Sequence, residues 1–233
     1  MQPALATDAS ADFRHIDVWV FDLDNTLYPA ESRIFAQVEA RMTLFVQQLL
    51  GLEAYEARRV QKAYYREHGT TLNGLMRVHG VDPEAYLAFV HDIDVSALGT
   101  DANLAQAIAR LPGRRFVFTN GCRNHASRIL ERLALAGFFE ELWDIRTIAY
   151  RPKPDLESYR AVLGRAGAKP EQTAMFDDIA RNLAPAHELG CTTVWLRNES
   201  EWSKQGPEHP QVSAAHIDYE TSKLCEFLQT IRI

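Results

Sequence analysis

Val18-Trp19-Val20-Phe21-Asp22-Leu23-Asp24-Asn25-Thr26-Leu27-Tyr28 is the stretch on which the fold turns. Residues 16–21 read as a buried strand, and the run ends in two carboxylates one residue apart. A strand shows alternate residues to the same side, so Asp22 and Asp24 look into one crevice if the extended geometry persists. Open α/β sheets bind ligands outside the carboxyl ends of their strands, which is where these two acids fall. Thr26 follows closely, and Pro29 breaks the segment. Taken alone, Asp-x-Asp is equally the mark of a strand running into a solvated acidic turn.

Outward from this strand the grammar splits in two. Residues 31–98 read as helical throughout. Ile34, Val38, Met42, Phe45, Val46 and Leu49 line one stripe of a helix over 34–50 that stops at Gly51. A second helix is expected over 53–67, a polar connection over 70–74, and a short helix over 84–90 after Asp82-Pro83. From Thr100 strands and helices alternate. Helices are expected at 101–111, 124–135, 155–165 and 182–189, the last with Pro185 in its first turn, and a final one at 222–231. Strands are expected at 115–119, 144–148, 173–176 and 191–196. Alternation of this kind gives a parallel sheet with right-handed crossovers. The expected architecture is therefore α/β: a doubly wound core over 16–30 and 99–233, an all-helical cap inserted at 31–98, and a loose tail at 1–15.

Composition removes several function classes. With 25 Lys and Arg against 31 Asp and Glu, the net charge is −6, and there is no basic run for a nucleic-acid face. No apolar run approaches the ~20 residues that cross a bilayer, so no membrane partner is expected. Cys122, Cys191 and Cys225 cannot all pair and form no Cys-x-x-Cys, which reads as reduced thiols in a cytoplasmic protein.

Four strand ends carry chemistry-bearing groups: Asp22 and Asp24, then Thr119-Asn120-Gly121, then Lys153 between Pro152 and Pro154, then Asp177-Asp178. Singly each has a plain explanation as a turn, a surface lysine or a helix cap. In a parallel sheet all carboxyl ends share one edge, so the four sets can converge. Like charges at ~4 Å cost roughly 4 kcal/mol per pair at an effective dielectric of ~20, so the four aspartates demand a cation. Oxygen ligands without His or Cys point to Mg²⁺. Lys153, the Thr119 hydroxyl and the backbone N–H groups of Asn120 and Gly121 suit phosphate oxygens. An ionised Asp can attack phosphorus directly, and a second acid can protonate the leaving oxygen and then activate water.

Phe21-Asp22-Leu23-Asp24-Asn25-Thr26-Leu27, Phe118-Thr119-Asn120, Lys153-Pro154 and Phe176-Asp177-Asp178 together resemble, in order, the four motifs of the haloacid dehalogenase (HAD) superfamily. The resemblance implies a Rossmann-like core with Asp22 as nucleophile and metal ligand. It implies Asp24 as general acid/base, ligating Mg²⁺ through its backbone carbonyl. Thr119 and Lys153 would hold phosphate, and Asp178 would ligate the metal with Asp177 acting through water. Phosphatases of the superfamily keep the acid at the position of Asp24, whereas dehalogenases lack it and use no metal.

A closer resemblance, to the pyrimidine 5′-nucleotidase group, rests on three stretches. They are Asp24-Asn25-Thr26-Leu27-Tyr28, the cap segment from Tyr64 through His68, Thr70, Thr71 and Asn73 to Leu75, and Thr119-Asn120-Gly121-Cys122-Arg123-Asn124-His125-Ala126. It implies a nucleoside 5′-monophosphate as substrate. His68, Thr70, Thr71 and Asn73 either read the base or cap and turn between helices. Arg123, Asn124 and His125 are either ligand contacts or a capped helix start, the second being the readier explanation. A sugar or vitamin phosphate stands as the alternative substrate. Dehalogenation and non-catalytic nucleotide binding stand as alternative functions.

Overall fold

Strand β1 (Val18–Phe21) is buried along its whole length and lies between β2 (Arg114–Phe118) and β4 (Thr173–Asp177), parallel to both. The computed structural model describes residues 11–200 and 214–233. Among these, six strands form one parallel sheet in the order β3-β2-β1-β4-β5-β6, completed by β3 (Glu141–Trp143), β5 (Thr192–Leu196) and β6 (Tyr219–Thr221). The chain winds outward through β2 and β3, then returns to the other side of β1 for the remaining strands. That reversal is the switch point at which doubly wound sheets open a ligand crevice. Register places Phe21 beside Val117 and Phe176, so Asp22, Thr119 and Asp177 emerge together at one edge.

The sheet interior is aromatic. Phe21 stacks on Phe176 at 4.6 Å, and Phe116 on Trp143 at 4.3 Å between ring centres. Trp19 is fully buried and donates its indole N–H to the carbonyl of Pro112 at 2.7 Å, meeting its one polar requirement. Gly113 follows at φ 73°, and a Cβ there would lie 2.0 Å from the carbonyl oxygen of Asp17, so the entry to β2 requires glycine.

The chain divides into two compact units, Glu31–Ala97 and the combined segments Met1–Ala30 and Leu98–Ile233. The first contains α1 (Ile34–Leu50), α2 (Ala54–His68), α3 (Thr71–His79) and α4 (Pro83–Val90). Inside it, the Glu39 carboxylate pairs with Lys62 at 2.7 Å and with Arg58 at 3.0 Å. The second unit surrounds the sheet with α5 (Ala102–Ala109), α6 (Arg123–Arg132), α7 (Leu156–Ala166), α8 (Ala180–Leu189) and α9 (Leu224–Thr230). Among the described residues no helix is long and apolar enough to cross a membrane.

The structure departs from the sequence reading in several places. Residues 70–74 are not a connection: Thr70 caps α3, its hydroxyl accepting from the Asn73 N–H at 3.1 Å. The third strand is Glu141–Trp143 rather than 144–148, because Asp144 closes a turn by accepting from the Thr147 N–H at 3.1 Å. Pro185 lies in the interior of α8 rather than in its first turn. The short β6 lies in a segment where the sequence pattern shows no strand. Residues 11–15 are not a loose tail: Phe13 is fully buried, and its N–H donates to the carbonyl of Arg232 at 2.8 Å. The remainder of the expected tail, residues 1–10, and most of the expected polar segment beyond Asn198, residues 201–213, lie outside the described residues.

Candidate active site

The Lys153 ammonium is the centre of the sheet edge. It is 3% exposed and donates to Asp22 Oδ1 at 2.7 Å, Asp177 Oδ2 at 2.6 Å and the carbonyl of Phe118 at 2.9 Å. An ammonium has three hydrogens, so all are engaged. The loop that presents it is tied down by Asn120, whose side chain accepts from the Lys153 N–H at 2.8 Å and donates to its carbonyl at 3.2 Å.

Asp22, Asp177 and Asp178 are all buried, and one oxygen from each lies within 4.8 Å of the others. Three carboxylates face one lysine. Burial pushes the Asp22 carboxyl up to about 7, against the attraction of Lys153. Burial, reinforced by the Asp22 and Asp177 charges, drives Asp178 well above the usual carboxylate range. Burial disfavours the Lys153 ammonium, but the Asp177 and Asp22 charges outweigh it and hold its pKa above the ordinary value. A cluster so short of positive charge, built only from oxygen donors, fits a hard divalent cation.

The two acids of the last pair differ in availability. Asp177 accepts at Oδ1 from the Ile179 N–H at 2.9 Å and Asn182 Nδ2 at 3.0 Å, besides Lys153 at Oδ2. Among the described residues Asp178 accepts one side-chain hydrogen bond, from Asn198 Nδ2 at 3.1 Å, while its carbonyl receives the Trp195 indole N–H at 2.9 Å.

Asp24 stands apart from that cluster. After β1 the chain makes a tight turn, with the Leu27 N–H donating to the carbonyl of Leu23 at 3.0 Å and Asn25 at φ 58°, a conformation asparagine tolerates. Asp24 Oδ1 receives the Tyr28 hydroxyl at 2.5 Å and lies 2.8 Å from His125 Nε2. Burial, with the Asp24 charge adding to it, holds the Tyr28 hydroxyl well above its ordinary pKa.

Thr119 is 1% exposed, and its hydroxyl accepts from the Gly121 N–H at 2.9 Å. That N–H, expected to face a phosphate, is therefore already engaged. The next helix, α6, begins on Asp144, whose Oδ2 accepts from the Arg123 N–H at 3.0 Å. His125 thus joins the site, whereas Arg123 turns to the carbonyl of Leu142 at 2.7 Å. In the helical unit Thr71 donates to the carbonyl of Gln61 at 3.3 Å, and Asn73 to that of His68 at 3.2 Å, both within the unit. Tyr28, Asn182 and Asn198 are site neighbours that sequence reasoning did not single out, and His125 is singled out there only as a ligand contact or part of a capped helix start, not as a partner of Asp24. Tyr28 and His125 lay within stretches that carried the family resemblance, and this was the one available signal.

A family model described as haloacid dehalogenase-like hydrolase matches residues 16–190. Phosphate metabolism protein 8 of Saccharomyces cerevisiae is 28% identical over 196 residues, which are 76% of this chain and 60% of that protein, so the chain spans about 60% of this curated relative's length. Among solved structures, a HAD phosphatase from Thermococcus onnurineus matches with a TM-score of 0.60 at 17% identity over 92% of this chain and 97% of that one. The HAD-hydrolase YfnB from Bacillus subtilis, bound to magnesium, matches at 0.61 and 17% over 94% and 99%. The L-2-haloacid dehalogenase from Xanthobacter autotrophicus, with chloropropionic acid covalently bound, matches at 0.56 and 16% over 92% and 97%.

Proposed function

The chain belongs to the haloacid dehalogenase-like hydrolases, and on that premise we propose that it is a Mg²⁺-dependent phosphomonoesterase acting through an aspartyl-phosphate on Asp22. The observation that carries this reading is the buried trio Asp22, Asp177 and Asp178, with Lys153 paired to two of them among the described residues. The acid at Asp24 favours this reading over carbon–halogen hydrolysis, since the family resemblance gives dehalogenases no carboxylate at that position. Mg²⁺, when bound, would be held by Asp22, Asp178 and the Asp24 carbonyl, and would neutralise the carboxylates and the phosphate oxygens.

The chain's own groups supply the rest. Lys153, fixed by its three acceptors, orients the Asp22 carboxylate; it reaches a phosphate oxygen by giving up one of them. The Thr119 hydroxyl offers the phosphate a further donor. Asp22 attacks phosphorus as the bond to the leaving oxygen breaks, and that oxygen takes the proton of Asp24. In the second step Asp24 takes a proton from water, the water oxygen attacks phosphorus, and the bond to Asp22 breaks. Inorganic phosphate leaves, the Asp22 carboxylate is restored and Asp24 is protonated again. Asp177, saturated by hydrogen bonds, suits a role behind the ligands, and the freer Asp178 suits direct ligation.

The substrate is proposed to be a nucleoside 5′-monophosphate with a pyrimidine base. The support is the resemblance of 24–28, 64–75 and 119–126 to the pyrimidine 5′-nucleotidases. The test is phosphate release from UMP, CMP, dTMP, AMP and a set of sugar phosphates, with Mg²⁺ and after dialysis against EDTA. Pyrimidine nucleotides turning over fastest, and only with metal, is the expected result. Faster turnover of sugar phosphates would move the substrate, and undiminished activity in EDTA would remove the metal.

A further inference from the structure

We propose that the side chain of Asn120 is a positioning residue for Lys153, holding the main chain from which the ammonium reaches phosphate in the reaction proposed above. Lys153 sits between Pro152 and Pro154, and proline has no N–H. Across residues 152–154 the Lys153 amide is therefore the one main-chain donor. Asn120 takes it: its Oδ1 accepts from the Lys153 N–H at 2.8 Å, while its Nδ2 donates to the Lys153 carbonyl at 3.2 Å. A flipped amide would set donor against donor and acceptor against acceptor, so the two contacts admit one orientation.

The neighbouring fasteners stop short of Lys153. The Ser158 hydroxyl holds the carbonyl of Arg151 at 2.6 Å, and the Asp155 N–H holds that of Pro152 at 2.9 Å. Asn120 follows β2 after one residue, Thr119, whose N–H donates to the carbonyl of Trp143 at 2.9 Å, so the latch is mounted on the sheet. An ammonium on a flexible four-carbon stem takes its place from its root as well as from its acceptors. Before substrate arrives, Asp22, Asp177 and the Phe118 carbonyl hold the head of Lys153. When one of these is exchanged for a phosphate oxygen, two remain, and the fixed main chain keeps the ammonium from following the substrate. The Asn120 side chain thus acts on phosphate through Lys153.

The test is turnover, with Mg²⁺, of the fastest phosphomonoester of the panel above by the full chain carrying Asn120→Ala, well below its melting temperature. Misplacing a reacting group costs up to about 10²-fold, so kcat should fall roughly 10- to 100-fold while KM stays within about threefold of wild type. Asn120→Asp keeps the acceptor for the amide and loses only the donor. It should retain more of kcat than Asn120→Ala, and it carries the test if the alanine variant does not fold. A raised KM with kcat unchanged would make Asn120 a substrate contact and overturn the assignment. So would a lower melting temperature with kcat unchanged, the mark of a fastener alone. Hydrogen exchange at the Lys153 amide reads the latch without turnover: it should quicken about tenfold in Asn120→Ala, with the loss of one hydrogen bond. An unchanged exchange rate would overturn the latch. Because the role in turnover rests on the phosphatase reading, the wild type is the reference. An active wild type with an unmoved kcat in the variants removes Asn120 alone, whereas a wild type inert toward every phosphomonoester removes the reaction and this role together.

Discussion

As the proposed nucleophile, Asp22 is under two demands that pull in opposite directions. Burial raises its pKa to about 7, yet a nucleophile must be ionised. Lys153 supplies part of the compensation, and a bound cation would supply the remainder. Asp22→Asn keeps the shape, removes the charge and removes the proposed nucleophile. Turnover should fall by at least about 10³-fold, as when a covalent catalyst is deleted. The metal-free variant should melt at or above the wild-type temperature, since a costly buried charge is gone. Phosphate release and thermal denaturation in EDTA measure the two halves. At this scale the sequence shows Asp22, Asp177 and Asp178, which follow apolar strands, while Lys153, in a loop after Arg151-Pro152, is visible only because it belongs to the same ordered set. Tyr28 and His125 are not visible as partners of Asp24. A tyrosine after a turn and a histidine in a first helical turn are ordinary residues until a distance of 101 positions is closed in space.

Elements are legible where periodicity is long and illegible where one side chain outvotes it. The seventeen residues of α1 carry enough apolar repeats to be found from sequence. The three residues of β3 do not, and Asp-Ile-Arg-Thr-Ile beyond them alternates like a strand while Asp144 folds it into a turn. Thr70 to Gly74 reads as polar linker, yet Thr70 is a cap and Gly74 is helical: a Cβ on Gly74 would meet that of Tyr64 at 2.5 Å, so the glycine permits α2 and α3 to touch. Gly113 is the sharper case, because the obstruction is backbone. Gly113→Ala combines a positive φ with a collision against the carbonyl of Asp17, and should destabilise the fold by about 3 kcal/mol or more. Chemical denaturation would measure it; a midpoint within error of wild type would show that the β1–β2 edge adapts.

On the scale of the whole molecule, the acidic cluster links stability to pH. Asp22 and Asp178 both have folded-state pKa values above the ordinary 3.8. The folded protein therefore holds those protons more tightly than the unfolded chain does. The stability this gives is fully present below about pH 4 and is lost as pH rises through the folded value, near 7 for Asp22. Divalent metal favours the ionised carboxylates and so competes with these protons. Mg²⁺ should consequently raise the melting temperature more at pH 8 than at pH 6, and a shift independent of pH would separate the metal from these acids. The α/β class and the parallel winding are legible at this scale because strand and helix alternate from Thr100 onward. The substrate is not, since phosphate contacts are common to every phosphomonoester. The double pairing of β1 has a last consequence. With partners on both edges and no exposed residue, its amides should be among the last to trade hydrogen for deuterium in heavy water. If Asp22 is the nucleophile proposed above, its oxygen follows directly on a strand held from both sides, and any give that a catalytic cycle requires would be found in the loops instead.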